Sequence, residues 1–258
     1  MKKIVKVSAI VLALVMAMGS LCACGKGTST DNPSATEKLV MATNASFPPY
    51  EYVDDNGAFA GIDVEIAGLI AEKLGLTLEI QDVDFGSIIG GVQTGKFDIG
   101  MAGMTVTEER LQNVNFSTSY AKGVQVIIVP EDSEIQSFDD LAAKEDVIIG
   151  VQQNTTGHIY MSDDLGEDHI IKYNTGNDAV QALVTGKVDA VVIDNEPAKS
   201  YVAANEGLKI LETAYKTEDY AICVAKENTA LLENINAALA ELTADGSIDA
   251  IIAKYISA

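Results

Sequence analysis

From Lys38 onward, short apolar runs alternate with longer stretches of helical apolar spacing, and this alternation restricts the chain to an α/β architecture. Leu39 to Thr43 reads as a strand. Ile62 to Leu74 carries apolar side chains at helical intervals and stops at Gly75. Further strands are expected at Leu76 to Ile80, Phe97 to Ala102, Gln125 to Val129, Val147 to Val151, Ile170 to Tyr173 and Val188 to Ile193. Helices are expected at Ile88 to Gln93, Thr156 to Met161, Asn177 to Val184, Asn195 to Ala204, Thr229 to Leu242 and Ser247 to Tyr255. Helices of this length between short strands predict parallel sheets with helices on both faces.

One unit occurs twice. Thr94-Gly95-Lys96-Phe97-Asp98 and Thr185-Gly186-Lys187-Val188-Asp189 each follow a helix and precede an apolar strand. Glycine after a helix is common enough to match by chance; two similar lobes are the richer account. Open parallel sheets bind ligands outside the carboxyl ends of their strands. The two strands here end at Gly103-Met104-Thr105 and at Asp194-Asn195.

Those ends carry chemistry. Arg110 is the only arginine in the chain, all other basic residues bar two histidines being lysine. A planar guanidinium can hold a carboxylate through paired hydrogen bonds, as lysine cannot; a surface ion pair with Glu108 or Glu109 is the plainer alternative. Thr105 with Glu108 fits a capping box, so a helix can start here, and its free N–H groups suit an anion. A second such start is Asn154-Thr155-Thr156-Gly157. Asp194 either caps the helix that follows, with Pro197 in its first turn, or pairs with an ammonium group. Facing each other across a cleft, Arg110 and Asp194 read the two charges of a zwitterion, which is recognition rather than catalysis. Phe47-Pro48-Pro49-Tyr50 is an extended, stiff loop able to present Phe47 at a strand end. For Phe47 and Phe85 alike, core packing is the default.

The first residues specify location. Lys2, Lys3 and Lys6 precede an apolar run, Val7 to Met18, too short to span a bilayer, which needs roughly 20 residues. Leu21-Cys22-Ala23-Cys24 then resembles a bacterial lipobox, implying cleavage after residue 23 and a lipid on Cys24. Gly25 to Glu37 is small and polar and reads as a tether. The formal net charge of −21 argues against nucleic-acid binding. Only Cys24 and Cys223 would remain after cleavage, so no internal disulfide is available. His158 and His169 lack metal-site spacing, and no phosphate-binding glycine loop is present; neither metal nor cofactor is expected.

Taken together, Ala42-Thr43-Asn44-Ala45-Ser46-Phe47-Pro48-Pro49-Tyr50-Glu51-Tyr52, Gly61-Ile62-Asp63-Val64-Glu65, Val83-Asp84-Phe85, Ala102 through Arg110, Asn115-Phe116-Ser117 and Val188 through Asp194 resemble the polar amino-acid solute-binding proteins of ABC importers. The resemblance implies a periplasmic-binding-protein type II fold: lobe one from residues 38–122 plus 220–258, lobe two from 123–219, and hinge crossings near Tyr120 to Gln125 and Glu218 to Ile222. It implies a free amino acid as ligand, an ABC permease as partner, a monomer held at the outer face of a membrane, and no enzymatic activity. Arg110 would clamp the α-carboxylate with Thr105 and the amides near Thr155 and Thr156. Asp194 and the Gly103 carbonyl would take the α-ammonium, and Met104 would also belong to the ligand-binding set. Phe47 and Phe85 would sandwich the side chain, and Asn44 and Gln152 would meet its polar end. Members that prefer cationic side chains often carry aspartate where Asn44 stands, which tilts the expected ligand toward a neutral polar amino acid such as glutamine, basic ones remaining open. The alternatives are a dehydratase resembling those acting on cyclohexadienyl acids, which needs a tuned general acid, and an amino-acid sensor domain.

Overall fold

Two mixed sheets organise the chain. The computed structural model describes residues 37–256 except 213. The expected leader, the Cys24 anchor and residues 24–36 of the tether lie outside the described residues.

Lobe one begins with β1 (Lys38–Thr43), β2 (Ser46–Phe47), β3 (Glu51–Val53), β4 (Phe59–Ala60), α1 (Ile62–Leu74), β5 (Thr77–Asp82), α2 (Phe85–Gln93), β6 (Ile99–Gly100), α3 (Glu108–Asn113) and β7 (Val114–Phe116). Lobe two follows with β8 (Ala121–Pro130), α4 (Phe138–Ala142), β9 (Ile149–Gln152), α5 (Thr156–Leu165), β10 (Ile170–Tyr173), α6 (Gly176–Val184), β11 (Ala190–Asp194), α7 (Asn195–Ala204), β12 (Leu208–Ile210) and β13 (Lys216–Tyr220). The chain then returns to lobe one as β14 (Cys223–Ala225), α8 (Thr229–Ala244) and α9 (Ser247–Tyr255).

Sheet order is β5-β1-β6-β14-β7 in lobe one and β10-β9-β11-β8-β12 in lobe two, with β13 also paired to β8. In each, three parallel strands adjoin one strand of opposite direction, β14 in the first and β8 in the second; β7 pairs antiparallel with β14, and β12 and β13 with β8, so these three run with the parallel set. The sheets are therefore parallel-rich rather than all-parallel. The outgoing β8 and the returning β13 pair antiparallel with each other, because a returning chain runs the other way. The first half of β8 pairs with β13, Ala121 opposite Tyr220 and Gln125 opposite Lys216, forming the two-stranded hinge.

The repeated turn is structural. Gly95 and Gly186 both sit at positive φ, 71° and 67°. Asp98 Oδ2 accepts from the Val40 N–H and Asp189 Oδ2 from the Ile148 N–H, each at 2.8 Å. Both threonines donate back to a carbonyl four residues earlier, at 2.9 Å. One device thus joins a helix to a central strand in both lobes.

Several expectations change. Helix α2 starts at Phe85 rather than Ile88; Gly86, Gly90 and Gly91 weaken its helical signal without preventing it. The expected strand Phe97 to Ala102 shrinks to β6, because the chain peels away after Gly100 into the cleft loop. Thr105 does not cap a helix: it bridges to Tyr220 in extended form, and Thr107 caps α3 by accepting from Arg110 N. Pro48 to Tyr50 is a tight turn between β2 and β3, not an extended loop, and Tyr50 N–H donates to the Phe47 carbonyl at 3.0 Å.

Candidate functional site

The carboxyl ends of β1, β9 and β11 and the loop after β6 converge on a cleft of about 440 Å³, measured out to its mouth. Asn44, Phe47, Phe85, Gly103, Thr105 and Arg110 line it from lobe one; Gln152, Thr155, Thr156 and Asp194 line it from lobe two. Met104 does not. Its side chain points the other way, fully buried against Ile88, Val92 and Val114, because a strand-like segment turns successive side chains to opposite faces. Glu51, Ala102, Gln125, Val192 and Ile193 complete the wall.

Arg110 lies in the short helix α3 and is 7% exposed. Its Nη1 donates to the Thr105 carbonyl at 2.8 Å and its Nη2 to the Asn154 carbonyl at 2.9 Å. The guanidinium carbon stands 5.2 Å from the centre of the Phe85 ring. Among the described residues it makes no ion pair, so Glu108 and Glu109 do not explain it. Burial lowers its pKa below the ordinary guanidinium value, yet arginine keeps its charge in proteins. The result is a rigid fork with donors to spare.

Asp194 holds the N-cap position of α7, yet its carboxylate makes no capping bond. Its oxygens instead accept from the Tyr220 hydroxyl and from Gln125 Nε2, the latter at 2.6 Å. Gln125 Nε2 also reaches Glu218 Oε2 at 3.0 Å, and the Thr105 hydroxyl donates to that oxygen at 3.1 Å. Burial, and then the charge of Glu218, push the Asp194 pKa up to about 7. Both hinge strands therefore reach the charged end of the site through Gln125, Glu218 and Tyr220.

The polar end is an amide relay. Asn44 Nδ2 donates to the Val83 carbonyl at 2.9 Å. Gln152 Nε2 donates to Asn44 Oδ1 at 2.8 Å and to the Asn174 carbonyl at 3.1 Å. Backbone carbonyls only accept, so Val83 and Asn174 fix the orientation of both amides. What remains for the cavity is Oε1 of Gln152 and one N–H of Asn44.

Gly103 is required where it stands. Its φ is 50°, and a Cβ there would lie 2.8 Å from the Phe47 ring. Thr155 caps α5, accepting from His158 N at 3.4 Å, and Thr155 and Thr156 bring this helix start to the cleft wall. Outside the cleft, the Tyr201 hydroxyl donates to the Ser46 carbonyl at 2.5 Å, a further link between lobes.

Sequence reasoning missed Glu51, Gln125 and Glu218. A signal existed for Glu218: the two-residue alternation in Lys216–Tyr220 buries Glu218 with Tyr220.

A family model described as bacterial extracellular solute-binding proteins, family 3, matches residues 39–258. The chain is 30% identical to the arginine-binding extracellular protein ArtP of Bacillus subtilis over 92% of its length and 93% of that protein. An ancestral arginine-binding protein bound to glutamine superposes with a TM-score of 0.81 at 39% identity, covering 86% of this chain and 98% of that one. An ancestral amino acid-binding protein, a precursor of cyclohexadienyl dehydratase, superposes at 0.79 with 33% identity, covering 84% of this chain and 95% of that one. With its two-lobed fold and interlobe cleft, the chain belongs to the bacterial extracellular solute-binding proteins of family 3.

Proposed function

We propose that this chain captures a free amino acid, with glutamine as its preferred ligand, and hands it to the permease of an ABC importer without transforming it. The supporting observation is the placement, in one cleft, of the Arg110 fork from lobe one and Asp194 from lobe two. The fork takes the α-carboxylate, assisted by Thr105 and the first amides of α5. Asp194 and the Gly103 carbonyl take the ammonium. Phe47 and Phe85 flank the side chain. At its end, Gln152 Oε1 accepts and Asn44 N–H donates, which matches a carboxamide at both its atoms. A guanidinium or ammonium satisfies only the acceptor, and a carboxylate only the donor. The glutamine bound by the similar ancestral protein is consistent with that polarity.

The protein acts as a monomer outside the cytoplasm, tethered by a lipid on Cys24; mass spectrometry of the mature N-terminus tests the anchor. The ligand assignment is tested by a thermal-shift screen over the twenty common amino acids, followed by calorimetry, since a ligand that binds only the folded state raises the melting temperature. Glutamine should give the largest shift. No shift with any amino acid would refute the reading, and turnover of prephenate or arogenate would replace it with an enzymatic one.

A further inference from the structure

Beside the Gly103 loop lie two carboxyls that the zwitterion clamp does not use. Glu51, on β3, lines the cleft, and Asp63 sits in the first turn of α1; they are 1% and 0% exposed. Their carboxyl groups lie within hydrogen-bonding reach of each other, yet neither can donate while both are ionised. Glu51 Oε2 and Asp63 Oδ1 meet no N–H or hydroxyl donor. Two acceptor oxygens in contact in a dry interior repel unless a proton lies between them. The other Asp63 oxygen is anchored: Oδ2 accepts from the Gly103 N–H at 2.9 Å and from the Tyr120 hydroxyl at 2.8 Å. Gly103 is the left-handed residue of the cleft loop, and Tyr120 immediately precedes β8.

We propose that Glu51 and Asp63 share one proton and form a singly charged positioning pair, which holds the Gly103 loop and its ammonium-receiving carbonyl against the start of the hinge. The pair's service to the ammonium rests on the amino-acid reading; the shared proton rests on the carboxyl geometry.

The titratable groups facing the pair are Asp82 and Asp194 and the hydroxyls of Tyr50, Tyr120 and Tyr201; no cation is among them. Burial first, then the neighbouring Asp63, holds Glu51 well above the usual carboxylate range, and burial raises Asp63 to about 7. Such surroundings favour one negative charge over two. Losing the shared proton would put two anions in contact, and gaining a second would remove the anionic acceptor of the Gly103 N–H.

Infrared spectroscopy of the ligand-free protein at pH 9, about two units above the Asp194 pKa of about 7, should show a carboxylic-acid C=O band that disappears in Glu51→Gln. The glutamine amide can donate to Asp63 in place of the proton, so this variant should bind glutamine within about threefold of the parent. Glu51→Ala leaves Asp63 unpaired and should weaken binding roughly tenfold or more. A parent without the band, a Glu51→Gln variant that keeps it, or a Glu51→Ala variant that binds as the parent does overturns the proposal. The band is read without ligand, so it judges the shared proton whatever the amino-acid screen returns.

Discussion

The Tyr201 hydroxyl donates to the Ser46 carbonyl, joining helix α7 of lobe two to strand β2 of lobe one outside the ligand cavity. Because this bond touches no ligand atom, it strengthens the closed state for every ligand alike. Tyr201→Phe should therefore weaken all bound amino acids by one common factor, about 2- to 10-fold for a single neutral hydrogen bond. Calorimetry with two different ligands checks this; unequal losses would place Tyr201 inside the recognition chemistry.

Arg110→Lys keeps the charge and loses the fork. Lysine cannot hold the Thr105 and Asn154 carbonyls and still present paired donors to a carboxylate. Affinity should fall about tenfold or more, as expected when a hydrogen bond to a charged group is lost and the charge is kept. An unchanged circular dichroism spectrum would separate this loss from misfolding.

Asn44→Asp should alter selectivity more than affinity. The new carboxylate can still accept from Gln152 but can no longer donate to Val83 or to a ligand carbonyl. Relative to glutamine, arginine and lysine should gain roughly tenfold, since a hydrogen bond to a charged partner is about twice as strong as a neutral one. Competition calorimetry reads the ratio directly.

The acids predict a pH signature. Asp63 and Asp194 have folded pKa values raised from 3.8 to about 7. Between those values the native state holds more protons than the unfolded one. Ligand-free stability is then fully present below about pH 4 as far as these groups are concerned, and falls as pH rises toward 7. An ammonium ligand favours ionised Asp194, so binding should release a proton below about pH 7 and weaken with acidification. Denaturant titrations from pH 4 to 8, and calorimetry in two buffers of different ionisation enthalpy, measure both effects.

The helices and one edge strand were readable because their local pattern agrees with their burial. Ile62–Leu74, Ile170–Tyr173, Asn195–Ala204 and Ser247–Tyr255 stand where periodicity places them. Two-residue strands such as β2, β4 and β6 carry no pattern of their own; their partners define them. Arg110 and Asp194 were visible as an isolated residue type and a strand-end acid. Glu51 and Gln125 were not, because a buried polar group is selected by neighbours distant in sequence. Met104 was assigned to the ligand with its loop, though its side chain faces the core.

The amide relay spans both lobes, with Asn44 on one side and Gln152 on the other. On the proposed amino-acid reading, the reader of the side chain would be assembled only when the halves come together, and a first contact through Arg110 and the aromatic rings would be blind to what the side chain ends in. Right and wrong amino acids should arrive at similar speeds, and discrimination should show in how long each one stays.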